Sequence, residues 1–347
     1  MPPGGAGLPE AELVSIEIAA SGLLALVLGG LPCPIAAGWN VERQFTLSRS
    51  APGTGAIGGF SALHYNRANG SVLLLSDLPR GSVLRWAGLT SVQGPQLEQI
   101  TTLRAPAEID GEGLVVLGNQ WWVASEGRRR RERPAQLLRF SATSGALLSA
   151  VELPAAWQPG KGTGLASNAG PESLVLLSGA ERGLSPVLLM AAEQPLLQDP
   201  PFQVRVLRWQ WPAGANPATA DPEPRPQGAL RLPRQEGWGL TDLMVLQPNQ
   251  MLGLLRRFEA PDRWQIRLAL YPVPPAGSTA AVAALAEWDL VAAGLTPDNW
   301  EGLSMGPPLP DGRSTLLLVS DDNLNPLQAN RLALITANRN PSCQAKP

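Results

Sequence analysis

The sequence predicts an all-β fold: a single β-propeller, read as six blades of four antiparallel strands. Two observations carry that expectation. From Trp39 onward no long helical period occurs, and short apolar runs are instead bounded by Gly, Pro, Asn and Asp. Five segments also repeat one arrangement, opening with "GGFSAL" at Gly58, "DGEGLVVL" at Asp110, "GPESLVLL" at Gly170, "GLTDLMVL" at Gly239 and "NWEGLSMG" at Asn299. Each opening is small or polar, then acidic or Ser, then apolar.

The elements follow in chain order. Residues 41–47 supply an N-terminal strand. In the first segment the turn "NRANG" leads to a second strand "SVLLLSD" and a third "SVLRWAG". The second segment runs through "GNQ" to "WWVASEG" and "QLLRFSA". The third shows no clear turn, and "PVLLMAA" is taken as its third strand. The fourth has "QPNQ", "MLGLLRR" and "WQIRLALY"; the fifth has "LPDGR", "STLLLVSDD" and "NRLALIT". Residues 202–232 add further strand material, which with the N-terminal strand raises the expected count from five blades to six; five or seven also fit the spacing. Small radial sheets around a channel are the architecture such repeats build. The Pro-rich stretch 212–228 reads as a surface loop, so residues 39–340 form one domain.

Composition narrows the chemistry. The 347 residues carry a formal net charge of -2 and no basic footprint for nucleic acid. With 36 Gly and 35 Pro but no collagen period, turns are abundant. One His and two Cys exclude a zinc cluster. The glycine run at 53–59 matches neither phosphate-binding nor dinucleotide-binding spacing. Residues 13–31, "LVSIEIAASGLLALVLGGL", form an apolar stretch preceded by no Lys or Arg. Two readings stay open: residues 1–32 as an export signal, or as an uncleaved membrane anchor. Export, to the periplasm or beyond the cell, is the expectation. Cys33 and Cys343 then either pair as a disulfide in an oxidising compartment or stay apart, one free and one lipid-modified.

The acids recur in register. Glu112, Glu172, Asp242 and Glu301 come from the openings; Asp77, Glu126, Asp321 and Asp322 come from the ends of second strands. Around a propeller axis such groups converge, and converged carboxylates repel unless a cation sits among them. A hard divalent cation, Ca²⁺ first, is the expected cofactor. Asp77, Glu126, Glu172 and Asp321 are the candidate ligands, and Glu112 and Glu301 the candidate catalytic carboxylates. The competing reading makes each acid a turn-capping group that locks blade to blade. Arg256 and Arg257, with Trp300 beside Glu301, are candidates to bind an anionic substrate; Arg256 and Arg257 also suit ion pairs with the neighbouring acids. His64 is the sole histidine, and without a G-x-S-x-G elbow it reads as a core residue rather than a triad base. The run "EGRRRRERP" at 126–134 reads as a solvated loop or as a polyanion trap. Trp264 and the other tryptophans in or beside strands read as packing.

The segments "GGFSALHYNRANGSVLLLSD", "DGEGLVVLGNQWWVASEG" and "NWEGLSMGPPLPDGRSTLLLVSDDN" resemble the phytase-like family described by its esterase-like activity, from Gly58 to Ile335. The third segment departs from that pattern at Pro171, where an aromatic is expected, and the fourth ends on arginines. The resemblance implies an exported propeller that hydrolyses phosphoesters or esters. The residues themselves suit metal-assisted hydrolysis of a small anionic ester or phosphoester by a monomer, with membrane contact only through an uncleaved N-terminal segment. The alternative is a non-catalytic propeller that binds a ligand or a protein at its channel mouth.

Overall fold

The computed structural model describes residues 38–338, apart from 52, 79, 128–132 and 179–184. The N-terminal segment, Cys33, Cys343 and Arg128–Arg131 therefore lie outside the described residues. The first strand, β1 (Trp39–Thr46), is set aside by the chain until the end. Blade 1 follows as β2 (Phe60–Asn66), β3 (Ser71–Ser76), β4 (Ser82–Ala87) and β5 (Gln96–Thr102). Blade 2 is β6 (Gly111–Leu117), β7 (Gln120–Ser125), β8 (Gln136–Ser141) and β9 (Leu147–Glu152). Blade 3 is β10 (Ser173–Ser178), β11 (Val187–Ala191), β12 (Gln203–Gln210) and β13 (Glu223–Arg231). Blade 4 is β14 (Trp238–Gln247), β15 (Gln250–Glu259), β16 (Arg263–Pro272) and β18 (Ala286–Asp289), while β17 (Ala281–Val282) pairs in parallel with β13 and covers that blade's outer edge. Blade 5 is β19 (Asn299–Met305), β20 (Thr315–Asp321) and β21 (Arg331–Ala337), completed by β1 pairing antiparallel with β21.

The propeller has five blades, not six. Residues 202–232 are the third and fourth strands of blade 3, because "PVLLMAA" is that blade's second strand rather than its third. The N-terminal strand completes blade 5 instead of starting another.

Burial falls from axis to rim. Strands β3 and β20 are buried at every position, which is why they read as unbroken Leu and Val runs. The outer strand β9, "LLSAVE", alternates between half-buried and exposed, as a sheet edge with one solvated face does. The inner strands β2, β6, β10, β14 and β19 contact one another in sequence and close the ring. Leu63, Leu114, Leu174, Leu243 and Leu303 hold the same register in those five strands. Each enters a different apolar cluster wedged between consecutive blades.

Acids also latch the ring. Asp322 is fully buried, with Arg49 Nε 2.6 Å from Oδ2; it also accepts the backbone N–H of Gly59 at 3.3 Å and the Asn330 amide at 3.2 Å. It thus ties the chain entering blade 1 to blade 5. A Cβ on Gly58 would lie 2.5 Å from Asp322 Oδ1, so glycine there is a steric requirement. Replacing Asp322 with Ala should lower the unfolding free energy by about 1.5–3 kcal/mol, the range for a hydrogen bond to a charged group. Denaturant titration reads this directly, and an unshifted midpoint would refute the latch.

Candidate functional site

Where each inner strand begins, four of the five carry a β-bulge, at Ser61, Glu112, Thr241 and Glu301. A bulge re-aims a side chain at the rim of a barrel-like ring. In blade 3 the equivalent residue, Glu172, stands immediately before β10. The first ring of channel residues is therefore Ser61, Glu112, Glu172, Thr241 and Glu301. Asp242, grouped with these glutamates on sequence, is one residue out of register. It turns instead to the neighbouring strand, where its carboxylate accepts the backbone N–H of Leu243 and of Leu303, each at 2.7 Å. Burial raises its pKa strongly, and the two N–H groups partly offset that.

A second ring comes from the ends of the second strands. Asp77, Glu126 and Glu193 each bond through their backbone N–H to the carbonyl of Gly59, Asp110 and Gly170, respectively, at 2.8–2.9 Å. Arg256 pairs with Gly239, and Asp321 with Asn299, in the corresponding places. The openings are glycine-rich because these side chains need the space: a Cβ on Gly170 would sit 2.2 Å from Glu126 Cγ, and one on Gly239 2.4 Å from Glu193 Oε1.

Together the rings line a cavity of about 250 Å³ with eight carboxylates, namely Asp77, Asp110, Glu112, Glu126, Glu172, Glu193, Glu301 and Asp321, and one arginine, Arg256. Arg256 donates to Glu301 Oε1 and Asn299 Oδ1 through one terminal nitrogen and to Glu193 Oε1 at 3.1 Å through the other. Asn299 also donates to Glu301 Oε1 at 2.8 Å, whereas Glu301 Oε2 is buried without a hydrogen-bond partner among the described residues. Across the cavity, Asp77, Asp110 and Glu112 hold carboxylate oxygens within 4.8 Å of one another. Two oxygens on opposite sides of a calcium ion, each at about 2.4 Å, are about 4.8 Å apart, so this all-oxygen set fits a hard cation. Arg133 pairs with Asp110 at 2.9 Å.

Crowding shows in the acid strengths. Burial, then Asp321 and Asp110, push Asp77 up to about 8. Burial and Glu301 push Asp321 to about 7. Glu112 and Glu172 lie well above the usual carboxylate range, from burial first, then from Glu172 in the case of Glu112 and from Glu193 and Glu301 in the case of Glu172. Glu301 is raised by burial and held back by Arg256. The Arg256 pKa is raised, because Glu301 and Glu193 outweigh its own burial.

The structure brings Asp77, Glu112, Glu126, Glu172, Arg256, Glu301 and Asp321 together at one mouth. It does not bring Arg257 or Trp300 there. Alternation turns Arg257 away from the cavity, to Glu236 O at 2.8 Å and Glu259 at 3.1 Å. Trp300 is fully buried between blades 4 and 5, its indole N–H bonded to Thr296 O at 2.8 Å. His64 lines a separate apolar cavity of about 220 Å³ among the later residues of the inner strands. Its imidazole makes no hydrogen bond among the described residues, and burial lowers its pKa. Sequence reasoning missed Asp110 and Glu193. Glu193 becomes visible once "PVLLMAA" is recognised as a second strand, since it then follows that strand as Glu126 follows β7.

Asp77 and Asp321 titrate near 8 and 7 in the folded chain against about 3.9 when unfolded. The cation-free folded protein thus binds more protons than the unfolded one between about pH 4 and pH 8, and stability falls as pH rises through that window. Thermal melts in chelator at pH 5 and pH 8 should show the lower midpoint at pH 8; a midpoint that rises with pH would contradict the crowding.

Among solved structures, the fold is similar to a GH43_1 enzyme from Xanthomonas citri complexed with xylotriose (TM-score 0.46, 13% identity, 94% of this chain and 96% of that one). It is also similar to an alpha-L-arabinanase from Cellvibrio cellulosa complexed with arabinohexaose (0.45, 8%, 83% and 94%). A third similar structure is the Malassezia sympodialis allergen Mala s 1 (0.42, 9%, 83% and 95%). Among curated proteins none matches the sequence. The family model phytase-like, "Esterase-like activity of phytase", matches residues 55–324, which span all five inner strands and both rings of the acidic mouth. The chain belongs to this phytase-like family.

Proposed function

We propose that the acidic mouth is a metal-assisted hydrolase site for phosphoesters or carboxylic esters. The observation that supports this reading best is the pairing of two unlike halves. One holds the close oxygen set of Asp77, Asp110 and Glu112. The other holds Glu301, fixed at one oxygen and unpartnered at the other.

Asp77, Asp110 and Glu112 would hold the divalent cation, in a cavity that Asp321, Glu126 and Glu172 also line. When bound, a calcium-like cation supplies Lewis-acid polarisation of an ester or phosphoryl oxygen. The chain's own residues do the rest. Arg256 and Asn299 orient Glu301 by holding Oε1, and Oε2, buried and without a hydrogen-bond partner among the described residues, is the oxygen proposed to take a proton from an attacking water. Glu172, whose hold on a proton is strengthened by burial and by Glu193 and Glu301, is the group suited to give a proton to the departing alkoxide. No histidine or cysteine is needed. Export to the periplasm or beyond, read from residues 13–31, belongs to the same proposal, and fractionating cells that express the full chain tests it.

Elemental analysis of purified protein, followed by assays with p-nitrophenyl phosphate, phytate and short acyl esters in Ca²⁺ or chelator, tests the central reading. About one divalent cation per chain and cation-dependent turnover are expected. Bound cation without turnover of any ester would make the protein a binding propeller instead. Glu301→Gln should lower kcat by about 10²–10⁴, the usual contribution of a positioned general base, while keeping the cation. Asp77→Asn should lose the cation itself. If Glu301→Gln retains full kcat, Glu301 is not the base.

A further inference from the structure

On the blade 4 side the acidic cavity shares Glu193, Arg256 and Glu301 with a neighbouring one of about 310 Å³. Phe258 and Trp264 line it beside Arg256, Glu301, Asn168 and Asn323. Phe258 stands two residues after Arg256 on β15, so the two side chains share a face. Trp264 lies opposite Phe258 on β16, and their ring centroids are 4.5 Å apart with a tilt of 42°. Phe258 is 46% exposed, although it is a large apolar side chain on a central strand. Trp264 is half-buried; part of it packs against the core between blades 4 and 5, which fixes the ring in place. Arg256 has its guanidinium carbon 6.0 Å from the centre of the same ring. The buried, unpartnered Glu301 Oε2 belongs to a residue that lines both cavities.

The chemistry of this shelf restricts its occupant. Two aromatic faces gain by burying another flat apolar surface. A negatively charged substituent would lie against Glu193 and Glu301, and Arg256 is already engaged by both of them. A positively charged one would have to compete with the Arg256 guanidinium, which already holds both acids and lies 6.0 Å from the centre of the Trp264 ring. An uncharged ring satisfies both constraints.

Building on the hydrolase reading above, we propose that Phe258 and Trp264 form the subsite for the organic part of the substrate, and that this part is a flat, uncharged ring. The protein then takes aryl monoesters in preference to alkyl esters or to multiply phosphorylated polyols. The ring lies on the shelf while the ester bond reaches toward Glu301.

Two measurements separate this inference from the reading beneath it. The first is binding of 1-naphthol to the full chain, followed by calorimetry and by quenching of tryptophan fluorescence, with no turnover involved. Phe258→Ala should weaken that binding roughly 5- to 10-fold, and Trp264→Leu more than Trp264→Phe, which keeps a ring. The second is the ratio of kcat/KM for 1-naphthyl acetate over ethyl acetate, which should fall about 10-fold in Phe258→Ala. Equal binding of 1-naphthol by the wild type and Phe258→Ala, or faster turnover of phytate than of 1-naphthyl phosphate, would overturn the inference while leaving ester hydrolysis standing. Ring-dependent 1-naphthol binding with no turnover of any ester would uphold the subsite and sink the hydrolase reading.

Discussion

Five-fold closure around one axis is the constraint on which the rest depends. Each inner strand starts at the same mouth, so whatever a blade carries at its bulge is brought against its counterparts in the other blades. Carboxylates placed there repel, and desolvation adds to the repulsion. The fold tolerates them through two ion pairs, Arg256 between Glu193 and Glu301 and Arg133 on Asp110, while burial and the neighbouring acids raise the affinity of Asp77 and Asp321 for protons. Blades 1 and 4 relieve the crowding differently. There Ser61 and Thr241 take the bulge position and donate to the carbonyls of Gly111 and Trp300 in the next inner strand.

The acids outside the cavity show why composition alone would mislead. Asp242, Asp298 and Asp322 are all buried, yet each is consumed by backbone N–H groups or by an arginine. Asp242 and Asp322 lock one blade to the next, the role that turn-capping acids are expected to play, while Asp298 ties the start of β19 to β21 within blade 5. Asp77, Glu112 and Glu301 differ in facing a shared space, with Glu301 left one oxygen short of a partner. Position relative to the bulge decides which kind of acid a residue becomes, and a shift of one residue converts one kind into the other.

That one-residue sensitivity marks where the sequence was legible and where it was not. The propeller, its repeated openings and the convergence of Asp77, Glu112, Glu126, Glu172, Glu301 and Asp321 were all readable, because they follow from alternating strands and a conserved spacing within the chain itself. The bulge at Thr241 was not readable, since a bulge leaves no mark on composition, and so Asp242 seemed to occupy the register. The blade count failed in the third segment: without a clear first turn, β11 was taken for a third strand, which freed β12 and β13 to look like another blade. Trp300 was misplaced for the same reason as Asp242. Next to a bulge, a neighbour of a channel residue points into the core, and indole burial is favoured there.

Arg256, the one arginine among the described residues that line the mouth, gives it a direction. The second ring offers five equivalent positions, four of them carboxylates and the fifth Arg256 in blade 4. From there it reaches Glu193 in blade 3 and Glu301 in blade 5, so its charge is spent on its two flanks. Blades 1 and 2, across the axis, keep the oxygen set of Asp77, Asp110 and Glu112, and Arg133 pairs with Asp110 there. On the blade 4 side the field is quenched and the wall turns aromatic, with Phe258 and Trp264 beyond the arginine. On the hydrolase reading proposed above, the organic part of a substrate would lie against the rings and its ester bond nearer the acidic side, with Glu301, held by Arg256 at Oε1, between the two.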